Sequence, residues 1–202
     1  MLKPMKIYFN EELHRYQDEN GVIHPSVSII IRTADHFKNI PIEKQKEVMD
    51  RGTRLHQNID LFVNTGETMG DKVLESFAAI YGDLCRRYGK YIGGEMPLGA
   101  SYDSMPFCGK PDIVLENAVV DIKSSLSAER VYAMQLEAYA LLLEANDVTK
   151  PEFRILCYRN RDNWAYKVVQ QEYGTVAVRD AFVAALKRHY AEKLLHIYHN
   201  SL

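Results

Sequence analysis

The stretch that decides the fold of this chain is GKPDIVLENAVVDIK, residues 109–123. Two apolar runs rich in β-branched residues flank the polar pair Glu116-Asn117, a pattern typical of two antiparallel strands joined by a tight turn. If this pair forms a two-residue turn, Asp112 lies directly across the hairpin from Asp121. The stretch therefore predicts a β-hairpin that carries two facing carboxylates.

Facing carboxylates predict a cation site. Opposite residues of an antiparallel pair have Cβ atoms about 5 Å apart, and like charges at that distance destabilise the sheet. A divalent cation bound between Asp112 and Asp121 removes that repulsion, and oxygen ligands suit Mg²⁺ or Mn²⁺. The alternative is an exposed hairpin face on which Asp121 forms a surface ion pair with Lys123.

Strand periodicity places Lys123 beside the same site. Successive side chains of a strand point to opposite faces, so residues 121 and 123 share one face and Ile122 points away. The Lys123 ammonium is then positioned to hold a water molecule or to stabilise a phosphate. The backbone carbonyl of Ile122 remains available as a further oxygen ligand.

Composition predicts one ordinary globular domain over residues 1–202. Hydrophobic residues make up 47% and charged residues 26% of the 202 residues, which favours a folded core and argues against disorder. The net charge of −2 indicates no broad electrostatic grip on nucleic acid, although a local basic groove is compatible with it. No apolar run is long enough to span a membrane. The N-terminus lacks a secretory leader and the three cysteines are widely spaced, so we expect a cytoplasmic protein.

The order of predicted elements indicates a mixed sheet packed between helices. The first 32 residues look β-rich, with a turn at Asp18–Gly21 and an apolar run at Val27–Ile31. Extended segments are predicted at 91–98, 107–115, 118–123, 153–159 and 164–169. Helices are predicted from about Thr53, over 71–88 with Asp71 as its cap, over 128–144 and over 175–197. We therefore expect an α/β fold: a central mixed β-sheet flanked by helices, with an N-terminal β-hairpin.

Pro111-Asp112 followed by Asp121-Ile122-Lys123 resembles the signature of the PD-(D/E)xK nucleases. The chain is most similar to the branch that contains RecB nuclease domains, phage lambda-type exonucleases and mitochondrial genome-maintenance exonucleases. Further features match this branch in order over residues 14–140: Tyr16…Gly21…Pro25-Ser26-Val27, Gly52-Thr53-Arg54-Leu55-His56, Glu95 and Gln135-x-x-x-Tyr139. The resemblance implies a restriction-endonuclease-like core.

The resemblance also implies the roles of the site residues. The metal ligands would be His56, Asp112, Asp121 and the Ile122 carbonyl. Lys123 would be the catalytic lysine, acting with both aspartates. Glu95 would contact a second metal ion or a metal-bound water. The alternatives are a capping or core histidine at position 56 and a solvated strand carboxylate at position 95.

Other residues are expected to meet the substrate. Gln135 and Tyr139 are four residues apart and share one helix face, which in the family touches DNA or orients the lysine. The alternative is a core tyrosine with a polar neighbour. Arg54 and Lys110 are basic residues near the proposed site and are predicted to contact DNA phosphates.

The function that the resemblance implies is metal-dependent hydrolysis of DNA, most closely by an exonuclease of recombination or repair in a bacterial or phage-infected cell. A structure-specific endonuclease, a catalytically silent DNA-binding module and an unrelated protein with an accidental Asp-x-Lys are the alternatives. Some relatives hold an iron–sulfur cluster with four cysteines, but this chain has three, so we expect no cluster. The sequence contains no nucleotide-binding P-loop, so a helicase or single-strand-annealing partner would have to supply any unwinding.

Overall fold

The computed structural model describes residues 1–34, 42–68, 72–123, 130–159, 166–171 and 176–200. These residues form a mixed α/β fold with five helices and three sheets. The helices are α1 (Val27–Ala34), α2 (Ile42–Thr65), α3 (Lys72–Tyr88), α4 (Arg130–Ala145) and α5 (Val176–Asn200). The strands are β1 (Leu2–Met5), β2 (Ile7–Asn10), β3 (Arg15–Asp18), β4 (Ile23–His24), β5 (Tyr91–Gly93), β6 (Leu98–Tyr102), β7 (Met105–Gly109), β8 (Ile113–Leu115), β9 (Ala118–Lys123), β10 (Phe153–Arg159) and β11 (Tyr166–Gln171). None of the described helices has the length and apolar character needed to cross a membrane.

The central sheet has five strands in the order β11-β10-β9-β8-β5. Strands β9 and β10 are parallel and the other neighbours are antiparallel, which confirms the expected mixed sheet. A parallel pair needs a crossover connection, and α4 lies between the two strands in the chain. The apolar side chains of β9 alternate between two cores. Val119 packs with α1, α4 and α5, whereas Val120 and Ile122 pack with α2 and α3.

The register of the β8–β9 hairpin is the one predicted from the sequence. Ile113 pairs with Val120 and Val114 with Val119 across the antiparallel ladder. The same register, continued by one residue, places Asp112 opposite Asp121. The hairpin therefore brings both carboxylates to the same end of the central sheet.

The predicted extended segment 107–115 is wrong as a single strand. It is divided into β7, which belongs to a small sheet of order β1-β6-β7, and β8 of the central sheet. The break falls at Lys110-Pro111, where proline has no backbone N–H to donate to a ladder. The chain thus changes sheets immediately before Asp112.

The inclusion of Val27–Ile31 in a β-rich region is also wrong, because these residues form α1. Ser26 caps this helix, since its hydroxyl accepts a hydrogen bond from the Ile29 amide at 3.3 Å. Val27, Ile30 and Ile31 are buried while Ile29 is 49% exposed, which is helical spacing. The β-branched composition of Val27–Ile31 is typical of a strand. The Ser26 cap and the burial of only one face instead stabilise a helix.

The N-terminal hairpin is present as part of a three-stranded sheet of order β2-β3-β4. Its predicted turn is confirmed: the Gly21 amide donates to the Asp18 carbonyl at 3.0 Å, and Gly21 has a φ of +76°. Helix α2 begins at Ile42 rather than near Thr53. The cap predicted at Asp71 and the turn predicted at 160–163 lie outside the described residues.

A buried ion cluster joins α4, β10 and α5. Glu137 on α4 is 1% exposed and accepts hydrogen bonds from Arg154 on β10 and Arg179 on α5, each at 2.9 Å. Arg154 is also buried and donates to the Pro151 carbonyl, whereas the Arg179 side chain is 42% exposed. Burying a charge is costly unless it is paired. This cluster therefore fixes how α4 docks on the sheet.

Substitution of Arg154 by Met should lower the free energy of unfolding by about 3–5 kcal/mol, because it removes the buried partner of Glu137. The matched substitution Arg179→Met should cost much less, because water already solvates that guanidinium. Chemical denaturation of both variants measures the difference. Equal losses would show that the buried pair is not the dominant contact.

Candidate metal centre

Three parts of the fold meet at the end of the central sheet near Lys123. Helix α2 supplies His56, the β5–β6 connection supplies Glu95, and the β8–β9 hairpin supplies Asp112 and Asp121. His56, Glu95 and Asp112 each have a ligand atom within 4.8 Å of the other two. The structure therefore brings together residues that are up to 56 positions apart in the sequence.

His56 is oriented by two opposite sets of contacts. Its Nδ1 atom lies 3.1 Å from Asp112 Oδ1 and 3.5 Å from Glu95 Oε1. On the other side of the ring, Nε2 donates to the Ile122 carbonyl at 3.0 Å. A hydrogen bond on one ring nitrogen fixes the tautomer and presents the other nitrogen to a metal. In this arrangement the Ile122 carbonyl orients His56, and its direct ligation of a metal ion stays a prediction.

Glu95 is held by the backbone of the segment that carries Asp112. Its amide donates to the Pro111 carbonyl at 2.8 Å, and its φ is +50°, a conformation that non-glycine residues rarely adopt. At the preceding Gly94 a Cβ would lie 2.3 Å from the Asp112 carbonyl oxygen. Such backbone strain persists only where the surroundings impose it, and it clusters at functional sites.

Asp121 and Lys123 form the inner part of the centre. The Asp121 side chain is fully buried, and its two oxygens lie 2.9 and 2.8 Å from Lys123 Nζ. Among the described residues, Oδ2 has this ion contact but no hydrogen bond. Lys123 Nζ also lies 5.1 Å from the centre of the Tyr132 ring. One buried carboxylate oxygen therefore keeps capacity for a further partner.

Asp112 is anchored from the opposite strand. Its Oδ2 accepts a hydrogen bond from the Ile122 amide at 2.6 Å, which leaves Oδ1 facing His56. Burial alone would raise the pKa of Asp112, but the nearby His56 imidazolium lowers it overall. Burial raises the pKa of Asp121 to about 6, against the opposing effect of Lys123. The two aspartates thus have different environments although they face each other.

The basic residues of the centre are held in their charged forms. Burial would lower the pKa of His56, but Asp112 and Glu95 raise it to about 10. Burial likewise opposes the charge of Lys123, yet Asp121 and Asp112 raise its pKa. A divalent cation bound at His56 must therefore displace a proton from Nδ1.

The donor set fits Mg²⁺ or Mn²⁺. Carboxylate oxygens suit both ions, and the imidazole nitrogen of His56 suits Mn²⁺ better than Mg²⁺. The buried Asp121 oxygen without a hydrogen bond adds to the three clustered donors. Direct ligation by Asp121 remains a prediction, because its carboxylate faces Lys123 in this structure.

The Lys110 ammonium lies among protein side chains, and its predicted contact with a DNA phosphate stays a prediction. Its Nζ lies 3.0 Å from Glu95 Oε2, 3.6 Å from Glu11 Oε1 and 4.2 Å from the centre of the Phe9 ring. Arg54, by contrast, is an exposed residue of α2. No sequence motif indicated that the N-terminal β2–β3 hairpin supplies Phe9 and Glu11 to this region.

Gln135 and Tyr139 lie on the face of α4 next to the centre. Gln135 Nε2 donates to the Tyr139 hydroxyl at 2.9 Å. The Tyr139 ring packs on Gly109, where a Cβ would lie 2.7 Å from Cε1. Burial raises the pKa of Tyr139, and the charges of Asp121 and Asp112 raise it further. The shared face is confirmed, and a role in binding substrate stays a prediction.

Comparisons with known proteins leave the family of this chain unassigned. No protein-family model matches it, and no curated protein matches it. Among solved structures, the chain is similar to one described as the crystal structure of SSO0001. That likeness has a TM-score of 0.42 at 15% identity and covers 92% of this chain and 81% of the other. Such a score is too low to establish a shared fold, so the interpretation depends on the geometry of the centre.

Mn²⁺ affinity should rise with pH by up to about tenfold per unit between about pH 7 and about pH 9, because one proton leaves His56 on binding. The pKa of His56, raised to about 10, keeps that proton in place across this range. Isothermal titration calorimetry measures the affinity. His56→Ala should weaken binding and flatten the profile, and His189→Ala on α5 serves as the control. An unchanged profile in His56→Ala would contradict ligation by His56.

Proposed function

We propose that this chain is a metal-dependent deoxyribonuclease of the PD-(D/E)xK type, built on a restriction-endonuclease-like core. The observation that carries the proposal is the register of the β8–β9 hairpin, which sets Asp112 opposite Asp121 with Lys123 on the same face. His56 and Glu95 lie beside this pair, as the resemblance implies. Independent elements of the fold thus supply the side chains that this chemistry needs.

The topology supports the proposed core. A central mixed sheet carries an antiparallel hairpin, β8–β9, beside the parallel pair β9 and β10. Helix α4 follows β9 directly in the chain and packs on one face of the sheet, while α2 supplies His56 from the other face. The centre lies at the sheet end between these layers.

The residues that would hold Mg²⁺ or Mn²⁺ are His56, Glu95 and Asp112, with Asp121 and the Ile122 carbonyl in the wider set. A bound ion would lower the pKa of a water molecule and neutralise charge on the scissile phosphate. The hydrogen bond from His56 Nε2 to Ile122 keeps the opposite ring nitrogen directed at the carboxylates. The hydrogen bond from the Ile122 amide to Asp112 Oδ2 likewise keeps Oδ1 directed at His56.

Lys123 contributes a fixed positive charge. Its pKa is raised by Asp121 and Asp112 against the effect of burial, so the side chain is an ammonium at neutral pH. A protonated lysine cannot remove a proton from water. Lys123 therefore positions a water molecule and stabilises the negative charge that develops on the phosphate. The contacts with Asp121 and the Tyr132 ring hold the ammonium in place.

The proposed reaction is hydrolysis of DNA phosphodiester bonds, with an exonuclease of recombination or repair favoured by the resemblance. With Mg²⁺ or Mn²⁺, wild-type protein should degrade a linear duplex and leave its closed circular counterpart intact. Lys123→Ala should reduce cleavage by about 10²–10³-fold, the usual effect of removing one electrostatic stabiliser. Gel analysis of both substrates measures the outcome.

Lys150→Ala is the matched control, because Lys150 is exposed in the loop after α4. Nicking of the circle would instead identify an endonuclease. Full cleavage by both Lys123→Ala and Asp121→Ala would contradict the nuclease proposal. Failure of the wild type on duplex and single-stranded DNA would favour a DNA-binding module without catalysis.

Gly52 lies one helical turn before His56 on α2, so the two residues share a face. Among the described residues, no atom lies within 4 Å of a Cβ built at Gly52, so their packing does not require glycine there. Glycine inside a helix costs about 0.5–1 kcal/mol relative to alanine. This cost is understandable if the DNA backbone approaches the helix at Gly52.

Gly52→Ala should therefore stabilise the fold by about 0.5–1 kcal/mol while weakening DNA binding. Gly82→Ala in α3 is the matched control, since a Cβ there also meets no atom within 4 Å in the part of the chain that the structure describes. Thermal unfolding should show a similar gain for both variants. Fluorescence anisotropy with labelled DNA should show weaker binding for Gly52→Ala alone, and equal DNA affinities would remove this role of Gly52.

A further inference from the structure

Lys110 connects the metal centre to the N-terminal sheet. It follows β7 directly and precedes Pro111-Asp112, so its backbone belongs to the segment that carries a candidate ligand. Its side chain is 17% exposed and extends between Glu95 on one side and Glu11 on the other. The ring of Phe9 on β2 lies beneath the ammonium at 4.2 Å.

The two carboxylate oxygens of Glu95, a candidate metal ligand, face different cationic side chains. Glu95 Oε1 faces His56 at 3.5 Å, and Oε2 faces Lys110 Nζ at 3.0 Å. Both carboxylate oxygens therefore have a cationic neighbour. A divalent ion on Glu95 would be only a few ångströms from the ammonium, and two such charges repel strongly in a partly buried site.

A second place for the ammonium lies close by. Glu11 Oε1 is 3.6 Å from Nζ, and the Glu11 side chain is 77% exposed, so it is free to adjust. The Phe9 ring attracts the ammonium wherever it lies over the ring face. A small rotation of the flexible lysine exchanges Glu95 for Glu11 without losing the aromatic contact.

We propose that Lys110 is a positioning residue that competes with a divalent cation for Glu95, and that Phe9 on β2 and Glu11 in the β2–β3 turn receive its ammonium when the cation binds. This inference rests on the proposed function only in requiring that the centre binds a divalent cation. It assigns Lys110 a role in setting metal affinity, whereas the sequence had predicted a direct phosphate contact. It also means that the N-terminal sheet contributes to metal affinity by holding the displaced Lys110 ammonium.

The surroundings of Lys110 favour this role over a phosphate contact. A phosphate would have to draw the ammonium away from two carboxylates and an aromatic ring. Glu11 would also repel that phosphate, because it lies within 4 Å of the same ammonium. Metal competition needs only the loss of the contact with Glu95.

Calorimetric titration of Mn²⁺ into the DNA-free protein tests the proposal. Lys110→Met should bind Mn²⁺ about tenfold more tightly, because the competing charge is removed while a side chain of similar length remains on Phe9. Glu11→Gln should bind about twofold to threefold more weakly, because the displaced ammonium loses its second partner. Lys150→Met is the control and should leave the affinity unchanged.

Two further variants connect the effect to the named contacts. In the Lys110→Met background, Glu11→Gln should have no effect on Mn²⁺ affinity, since no ammonium remains to be received. In the Glu95→Gln background, Lys110→Met should no longer tighten binding. Circular dichroism of each variant verifies that the fold is retained.

Unchanged or weaker Mn²⁺ binding by folded Lys110→Met would overturn the inference and leave the nuclease proposal standing. Equal effects of Glu11→Gln with and without Lys110 would also overturn it, because Glu11 would then act directly on the ion. Failure of the wild-type protein to bind Mn²⁺ at all would overturn the metal centre itself. The two proposals therefore fail in distinguishable ways.

Discussion

The antiparallel pairing of β8 with β9 is the constraint on which the centre depends, because it forces two carboxylates to face each other at the end of a buried sheet. Asp121 is fully buried and Asp112 nearly so. Buried like charges are tolerated only when opposite charges or a cation compensate them. Lys123 on the same strand and His56 from the facing helix supply that compensation within the protein.

The sequence predicted the parts of the fold that are encoded by local chemistry. The polar turn at Glu116-Asn117 between two apolar runs was enough to predict the hairpin and its register. Prediction from the sequence failed where tertiary contacts decide whether a segment forms a helix or a strand. The run at Val27–Ile31 has the composition of a strand, but Ser26 caps it and only one of its faces is buried, so it is a helix.

At the metal centre, too, the sequence predicted what local motifs encode and missed what tertiary contacts determine. Asp112 was predicted from the hairpin register and His56 from the resemblance, and the structure places them 3.1 Å apart. The contacts of Lys110 with Phe9 and Glu11 span about 100 residues of sequence, and no spacing rule predicts such pairs. The change of sheets at Pro111 was equally hidden, although a residue without a backbone N–H favours a break in the ladder there.

The arrangement of charges explains why a centre rich in carboxylates folds without depending on a single compensating group. Lys123 faces Asp121, His56 faces Asp112, and Lys110 faces Glu95, so each acidic side chain has its own cationic partner. A cation that bound here would displace the cationic side chains that already face the carboxylates, rather than neutralise unpaired negative charges. Its net binding free energy would therefore be the difference between the electrostatic energies of the cation-bound and the cation-free centre. If Lys110 competes with a cation as proposed, residues that hold the displaced ammonium would also influence metal affinity. The N-terminal sheet, which is remote in sequence from the Asp-Ile-Lys strand, would then be energetically coupled to the metal centre.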